Sequence, residues 1–397
     1  MDTPQTHSLI LDSLPLGKLF FLRLENAFLL AQKGDTIALT SKLDNLEHEL
    51  LSWCQFKGEQ FLEKKTQKHC FTYLLQKRSH TAFPHFQTPQ QNSLLPLAPD
   101  DLGLAARGSI TELASPNYYF ELTSRQDIWS EKLTKLYEDS KLSQWSATHD
   151  IEWSEIPSYS PALEFATAQI MTYLVENEFS ALYVPSKFLS KISPYYYEVP
   201  LLLSSIIGDE ARHIEVFIKR ANATGLGLKY STRTTQQSLF TLFKEDDYLK
   251  SSFLLHIMGE GTFVDLLHFL ESHAKDAPTK KLLYLARKDE MRHVAYGMNN
   301  IKNALLCNPQ KIEILKNAVF KRKQYLDELS GESTLLLESL CVFAGGGDTS
   351  LQVKRGFEKL ENLKAKMQKN RTKRLIECGI DAELAHEMSK AHTPNFM

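Results

Sequence analysis

The sequence predicts an all-α protein built around a four-helix bundle, with additional helices before and after it. Three observations predict this. Four long stretches between 161 and 305 carry apolar residues at helical spacing, and proline and glycine fall mainly between them. A ten-residue pattern, GDEARHIEVF at 208–217, returns as KDEMRHVAYG at 288–297. Nothing in that region alternates as a strand would.

Taken in order, 17–32 and 36–78 read as helices, with Leu43, Leu46, Leu50, Leu51, Phe61 and Leu62 at helical spacing. From 79 to 120 the chain is aperiodic and proline-rich (Pro84, Pro89, Pro96, Pro99, Pro116), the composition of a loop or linker. Glu131 to Trp145 is helical again, and Pro157 and Pro161 mark entry to the bundle. Its helices are expected over 161–184, 198–222, 247–274 and 279–305. Pro185, Pro194 and Pro200 separate the first two, Gly225 and Gly227 the middle pair, and Pro278 opens the last. Further helices follow 305, interrupted by Gly345, Gly346, Gly347 and Asp348. That run is a helix-breaking linker, since a phosphate loop needs a preceding strand and further spaced residues. The expected organisation is an N-terminal helical region with its linker over 1–125, the bundle over 126–310, and a C-terminal helical extension over 311–397.

Composition narrows the partners. The formal net charge of −2, with both signs mixed along the chain, gives no electrostatic footprint for nucleic acid or an anionic membrane. Five scattered cysteines without a CxxC pair argue against a disulfide framework or zinc ribbon and fit a cytoplasmic setting. The first 32 residues lack the order of a signal peptide, and no span reads as long and apolar enough to cross a bilayer.

The repeated pattern carries the chemistry. Each copy contains Glu-x-x-His, Glu210 with His213 and Glu290 with His293, which sets a carboxylate and an imidazole one helical turn apart on one face. Alone the tetrapeptide is weak: among 13 histidines a chance copy is expected, and Glu383 with His386 supplies one. Setting distinguishes them. Glu210 and His213 interrupt a stripe of Leu203, Ile206, Ile207, Ile214 and Phe217, and Glu290 and His293 one of Leu283, Ala286, Val294, Gly297 and Ile301. A bare carboxylate buried there costs several kcal/mol, which metal coordination offsets.

A two-metal bundle site takes one more Glu from each remaining helix. Glu260 is the one acid among Phe253, Ile257, Phe263, Val264, Leu267 and Leu270. In the first helix Glu176 and Glu178 lie about 200° apart on the wheel, and only Glu178 shares its face with Met171, Leu174, Val175, Ala181 and Leu182. The candidate ligands are therefore Glu178, Glu210, His213, Glu260, Glu290 and His293. Their glutamates are 32, 50 and 30 positions apart, as two hairpins joined by a longer crossover require. Four carboxylates balance two divalent ions, and the oxygen and imidazole set suits two irons or a manganese and iron pair.

Asp289 is expected to orient His213, and Asp209 to orient His293, because a ligating imidazole donates its second N–H to a carboxylate. The competing reading pairs each aspartate with Arg212 or Arg292. His256, one turn before Glu260, is placed to reach the site, but a lone histidine on an apolar face is more often a satisfied core residue, and that reading is preferred. Phe179, Leu182, Phe217, Ile257, Phe263 and Val264 are the expected walls of a substrate pocket.

The stretches LYEDSKLSQWSATHDIEWSEIP, ENEFSALYVPSKF, GDEARHIEVF, MGEGTF and KDEMRHVAYG resemble the ferritin-like superfamily of di-iron carboxylate proteins, within it the bacterial oxygenases related to p-aminobenzoate N-oxygenase. The likeness covers about 130–310, with a weaker echo in the terminal HTPNFM. It implies the same six residues as iron ligands. It also marks two departures: where the arylamine N-oxygenases carry a further metal-binding histidine this chain has Ala286, and where ribonucleotide reductase small subunits carry a radical tyrosine it has Phe217. Tyr173 and Tyr296 are the tyrosines within reach of the cluster.

The expected function is that of a non-haem di-iron oxidase or oxygenase, using O2 as co-substrate on a small, largely apolar organic molecule. Electrons are expected from a reductase or ferredoxin, since no flavin, nicotinamide or iron–sulfur motif is legible, and a homodimer is compatible. The alternative is a ferritin-like iron-oxidising or iron-binding protein without an organic substrate. A third reading makes the site structural, in a protein-interaction bundle.

Overall fold

The computed structural model describes residues 4–67, 70–78, 94–109, 111, 116–327 and 333–392. The chain forms two compact units, residues 1–94 with 99–119 and residues 95–98 with 120–397.

The first unit departs from the helical expectation. It runs β1 (Thr6–Asp12), α1 (Lys18–Leu30), β2 (Thr36–Ser41), α2 (Glu47–Lys57), β3 (Gln60–Gln67) and β4 (Cys70–Gln76), with sheet order β1-β2-β4-β3. β1 and β2 are parallel across the α1 crossover, and β4 runs antiparallel to both its neighbours. Helices were expected throughout 36–78, but β2 alternates half-buried and buried along TIALTS, a period of two in β-branched residues. Gly58 ends α2 in the left-handed conformation, φ 71°, releasing the chain into β3. β3 reads as polar because it is an edge strand, where Glu63, Lys64 and Lys65 discourage further pairing. Phe20, Leu24, Ile37, Leu39, Trp53 and Tyr73 fill the core between helices and sheet. Pro84 and Pro89 of the expected linker lie outside the described residues, as does all of the terminal HTPNFM except His392.

The second unit is all helical. Two lead-in helices, α3 (Arg125–Ile128) and α4 (Leu133–Leu142), precede the bundle of α5 (Pro161–Leu189), α6 (Glu198–Asn222), a third helix, and α10 (Ala277–Cys307). The crossover between α6 and the third helix carries α7 (Arg233–Phe243). The third helix is continuous but changes pitch: α8 (Tyr248–Ser252), a π-helical segment Phe253–Gly259, then α9 (Glu260–His273). Beyond the bundle come α11 (Lys311–Asp327), α12 (Thr334–Gly345), α13 (Ser350–Glu377) and α14 (Ala382–His392).

Local signals set these limits. Ser160 Oγ accepts from Leu163 N ahead of Pro161, and Asp276 Oδ1 accepts from Thr279 N at 2.7 Å ahead of Pro278. Pro185 lies inside α5, which runs on to Leu189 instead of ending before it. Gly346, φ 82°, caps α12, and Thr349 opens α13 with a capping box. α5 packs on α6 and α9 on α10, while α12 covers α5 and α13 covers α9. Among the described residues one helix, Tyr248–His273, does meet the length and apolarity test for a membrane span, contrary to the sequence reading; 89% of its apolar window is buried, so apolarity on all sides reflects helices packed around it.

Candidate metal centre

The first motif sits mid-way along α6, the second mid-way along α10, Glu178 in α5, and Glu260 where the π-helical segment returns to α-helix. All six expected ligands are brought together, each at 1% exposure or less. They form two overlapping groups. Ligand atoms of Glu178, Glu210, His213 and Glu290 lie within 4.8 Å of one another, as do those of Glu210, Glu260, Glu290 and His293. Glu210 and Glu290 belong to both. Each group adds its own terminal Glu and His.

The imidazoles point Nδ1 inward. His213 Nδ1 lies 3.3 Å from both Glu210 Oε2 and Glu290 Oε1, and His293 Nδ1 lies 2.9 Å from Glu210 Oε1. Their Nε2 atoms face outward to the expected aspartates: His213 to Asp289 Oδ2 at 3.3 Å, His293 to Asp209 Oδ2 at 3.2 Å. The competing arginine pairing holds as well. Arg292 donates to Asp289 at 2.6 Å and Asp209 at 2.9 Å, and Arg212 donates to Asp289 at 3.0 Å and also to Asp209. Two aspartates thus tie two arginines to two ligand histidines across α6 and α10.

Whether these residues fit metal is decided by what they lack. Glu178 Oε1, both carboxylate oxygens of Glu210 and of Glu290, Glu260 Oε1, and Nδ1 of His213 and His293 are buried without a hydrogen-bond partner. An unpartnered buried acceptor costs about 1–3 kcal/mol, more when charged, and here eight of them converge. Two cations would satisfy them together. Without cations the charges compete: burial, then Glu210 and Glu290, push Glu178 well above the usual carboxylate range, and burial pushes Glu260 up. Burial also disfavours charge on Glu210, but the close approach of the His213 and His293 imidazoles outweighs it and holds that carboxyl low.

A Glu from each of two helices and Glu-x-x-His from each of the other two, all projecting inward, is the ligand plan of ferritin-like dimetal carboxylate bundles. The fold of the second unit is ferritin-like. No family model matches the chain, and no curated protein matches it. Among solved structures it is similar to a variant of R2-like ligand-binding oxidase with anaerobically reconstituted Mn/Fe cofactor, at 15% identity over 64% of this chain and 95% of that one, TM-score 0.49. It is similar to another variant with aerobically reconstituted Fe/Fe cofactor, at 17% identity over 64% and 95%, TM-score 0.47. A third likeness is to R2-like ligand-binding oxidase with aerobically reconstituted metal cofactor after photoconversion, at 18% identity over 60% and 93%, TM-score 0.42.

The rejected residues fall where their patterns place them. Glu176 faces Ser231 and Gln236, away from the cluster, and Glu383 and His386 are exposed on α14. The expected pocket walls divide. Phe217, Ile257 and Phe263 are buried, with the Phe217 ring 6.4 Å from that of His213. Leu182 and Val264 are half-buried. Phe179 is 39% exposed and stacks on Tyr183, so it is no wall of an interior pocket: one residue past Glu178, it is turned about 100° to the outer face.

Two features were not expected. Trp145 Nε1 donates to Asp289 Oδ2 at 2.7 Å, its ring stacks 6.3 Å from His213, and Arg212 lies over it. His256, expected as an ordinary core residue, contacts the ligand Glu260 through Nδ1 to Oε2 at 2.7 Å. It lies against Gly297, where any Cβ would collide with it. Beyond it, the Tyr296 ring is 5.2 Å away and shares a buried hydroxyl contact with Tyr248. Tyr173, the other expected tyrosine, is buried in α5. Helical spacing gave no signal for Trp145, which lies in the turn after α4; His256 was visible as the residue four before Glu260.

Proposed function

We propose that this protein is an O2-activating dimetal oxidase or oxygenase that oxidises a small, largely apolar organic substrate. The observation that carries the reading is the convergence of eight buried, unpartnered carboxylate and imidazole atoms at a cluster with two shared glutamates. When bound, two irons, or manganese with iron, would supply O2 binding and reduction, chemistry that amino-acid side chains do not provide.

The chain's own residues do the rest. Glu210 and Glu290, common to both groups, would help to hold both ions, with Glu178 and His213 at one and Glu260 and His293 at the other. Asp289 and Asp209 fix each imidazole so that Nδ1 faces the cluster and the Nε2 proton stays on the outer side. Phe217, Ile257 and Phe263 present apolar surface that would exclude water and favour an apolar substrate. An external donor would deliver electrons at half-buried Trp145, whose indole connects through Asp289 to His213.

The test is anaerobic loading with Fe(II), metal analysis, then exposure to air followed by Mössbauer spectroscopy. About two irons per chain that turn ferric in air are expected. Failure to hold about two, or irons that stay ferrous, sinks the reading.

A further inference from the structure

The first unit holds a cavity of about 220 Å³ between the C-terminal halves of α1 and α2. Helical spacing brings Glu25, Phe28 and Leu29 of α1 to it, and Trp53 and Lys57 of α2. Glu59 joins from the chain after α2, and Lys77 from just beyond β4. The backbone fixes Lys77 there: its N donates to Asp35 O at 2.9 Å and its O accepts from Gly34 N at 2.8 Å. An apolar cavity of roughly 150 Å³ takes benzene, so this one suits a single ring with one polar group attached.

Its buried lining combines aromatic surface with two donors. Trp53 is 3% exposed, and its ring meets that of Phe28 edge-on, with centroids 4.9 Å apart. Among the described residues, Trp53 Nε1 has no hydrogen-bond partner. A buried donor left unpaired is destabilising, and an acceptor on a ligand removes that penalty. Lys77 is 6% exposed, and its Nζ donates to Phe28 O, which occupies one of the three N–H donors of an ammonium. The carboxylates of the lining are engaged: Glu25 Oε1 lies 2.7 Å from Lys57 Nζ, and Glu59 Oε2 accepts from Arg78 N at 2.5 Å.

We propose that this cavity binds a small apolar monocarboxylate of about benzoate size, its carboxylate accepting from Trp53 Nε1 and the Lys77 ammonium and its apolar body lying along Phe28 and Leu29. A hydrocarbon would leave the indole N–H unpaired, and a bare inorganic anion would leave the aromatic wall wet. A neutral amide could accept from Trp53 but would lack the stronger, charge-assisted bond to Lys77. Every residue invoked belongs to the first unit, so the proposal does not depend on metal chemistry.

The test is titration of the full-length protein, labelled with nitrogen-15 at its tryptophan indoles, with sodium benzoate and in parallel with benzamide, the neutral counterpart. The chain has four tryptophans, and Trp53→Phe identifies the Trp53 indole signal in the NMR spectrum by its loss. Benzoate should shift that signal saturably, as one site, and bind roughly tenfold more tightly than benzamide or better. Lys77→Met, which keeps an apolar stem and removes the ammonium, should weaken benzoate by roughly tenfold, with circular dichroism verifying that the variant is folded. No saturable movement of the Trp53 signal below about 10 mM benzoate, or equal affinity for benzoate and benzamide, would overturn the proposal on the unsubstituted protein alone. So would unchanged benzoate affinity in folded Lys77→Met.

Discussion

The two Glu-x-x-His motifs are near copies in sequence and reciprocal in space, yet their surroundings differ. His213 leans on the aspartate of the second motif and His293 on that of the first, with Arg212 and Arg292 each touching both. Beyond that shared frame the halves part. On the His213 side, Asp289 receives the Trp145 indole at 2.7 Å, whereas the corresponding contact to Asp209 is the Gln144 amide at 3.4 Å. On the His293 side, the terminal ligand Glu260 is held by His256 from a π-helical turn. The repeated sequence sets equal candidate ligand types at both positions, and neighbours from the segment after α4 and from the third helix make the positions unequal.

The largest effect should separate shared from private ligands. Glu210→Ala or Glu290→Ala should take bound metal from about two per chain to nearly none, while Glu178→Ala or Glu260→Ala should leave about one, read by elemental analysis. A Glu210→Ala protein that keeps one tightly bound metal would break the assignment of that residue to both positions. Next in size, Asp289→Asn and Asp209→Asn should each weaken metal binding roughly 10- to 100-fold, in competition with a chelator. Asp289→Asn should be the more damaging, because it also disturbs the link to Trp145.

Two changes should leave metal content intact while telling the halves apart. Trp145→Phe should slow reduction of the oxidised protein by an external donor in stopped-flow absorbance, with two irons still bound. His256→Gln should alter one of the two Mössbauer iron signals and leave the other unchanged; equal change in both would mean that His256 does not act through Glu260. The smallest effect is expected at the third Glu-x-x-His. Glu383→Ala with His386→Ala should leave metal content and melting temperature unaltered, since both residues are exposed.

Legibility in the sequence followed the length of the pattern. Helices of 25 to 31 residues, such as α5, α6 and α10, repeat the 3.6-residue period often enough to fix a face, and the face of α5 chose Glu178 over Glu176. Strands of six to eight residues in the first unit offered few repeats. Where β3 is an edge strand, its polar residues hide even those, so 36–78 read as helix. Phe179 shows a finer limit: apolarity beside a ligand does not make a wall when the helix turns the side chain outward.

The sequence by itself singled out the six candidate ligands and their order, because these follow from helical spacing and the cost of burying carboxylates; the pairing of each histidine with the other motif's aspartate it offered as an expectation beside an arginine pairing, and the packed helices show both contacts. Only the tertiary structure decided which glutamates are shared, since sharing depends on the approach of four helices to one centre. It alone also brought Trp145 from outside the bundle helices onto Asp289, and set His256 against Glu260 from a π-helical turn, with Gly297 leaving room for the His256 side chain. Local spacing governs which face a residue occupies; distance between faces is a property of the packed molecule.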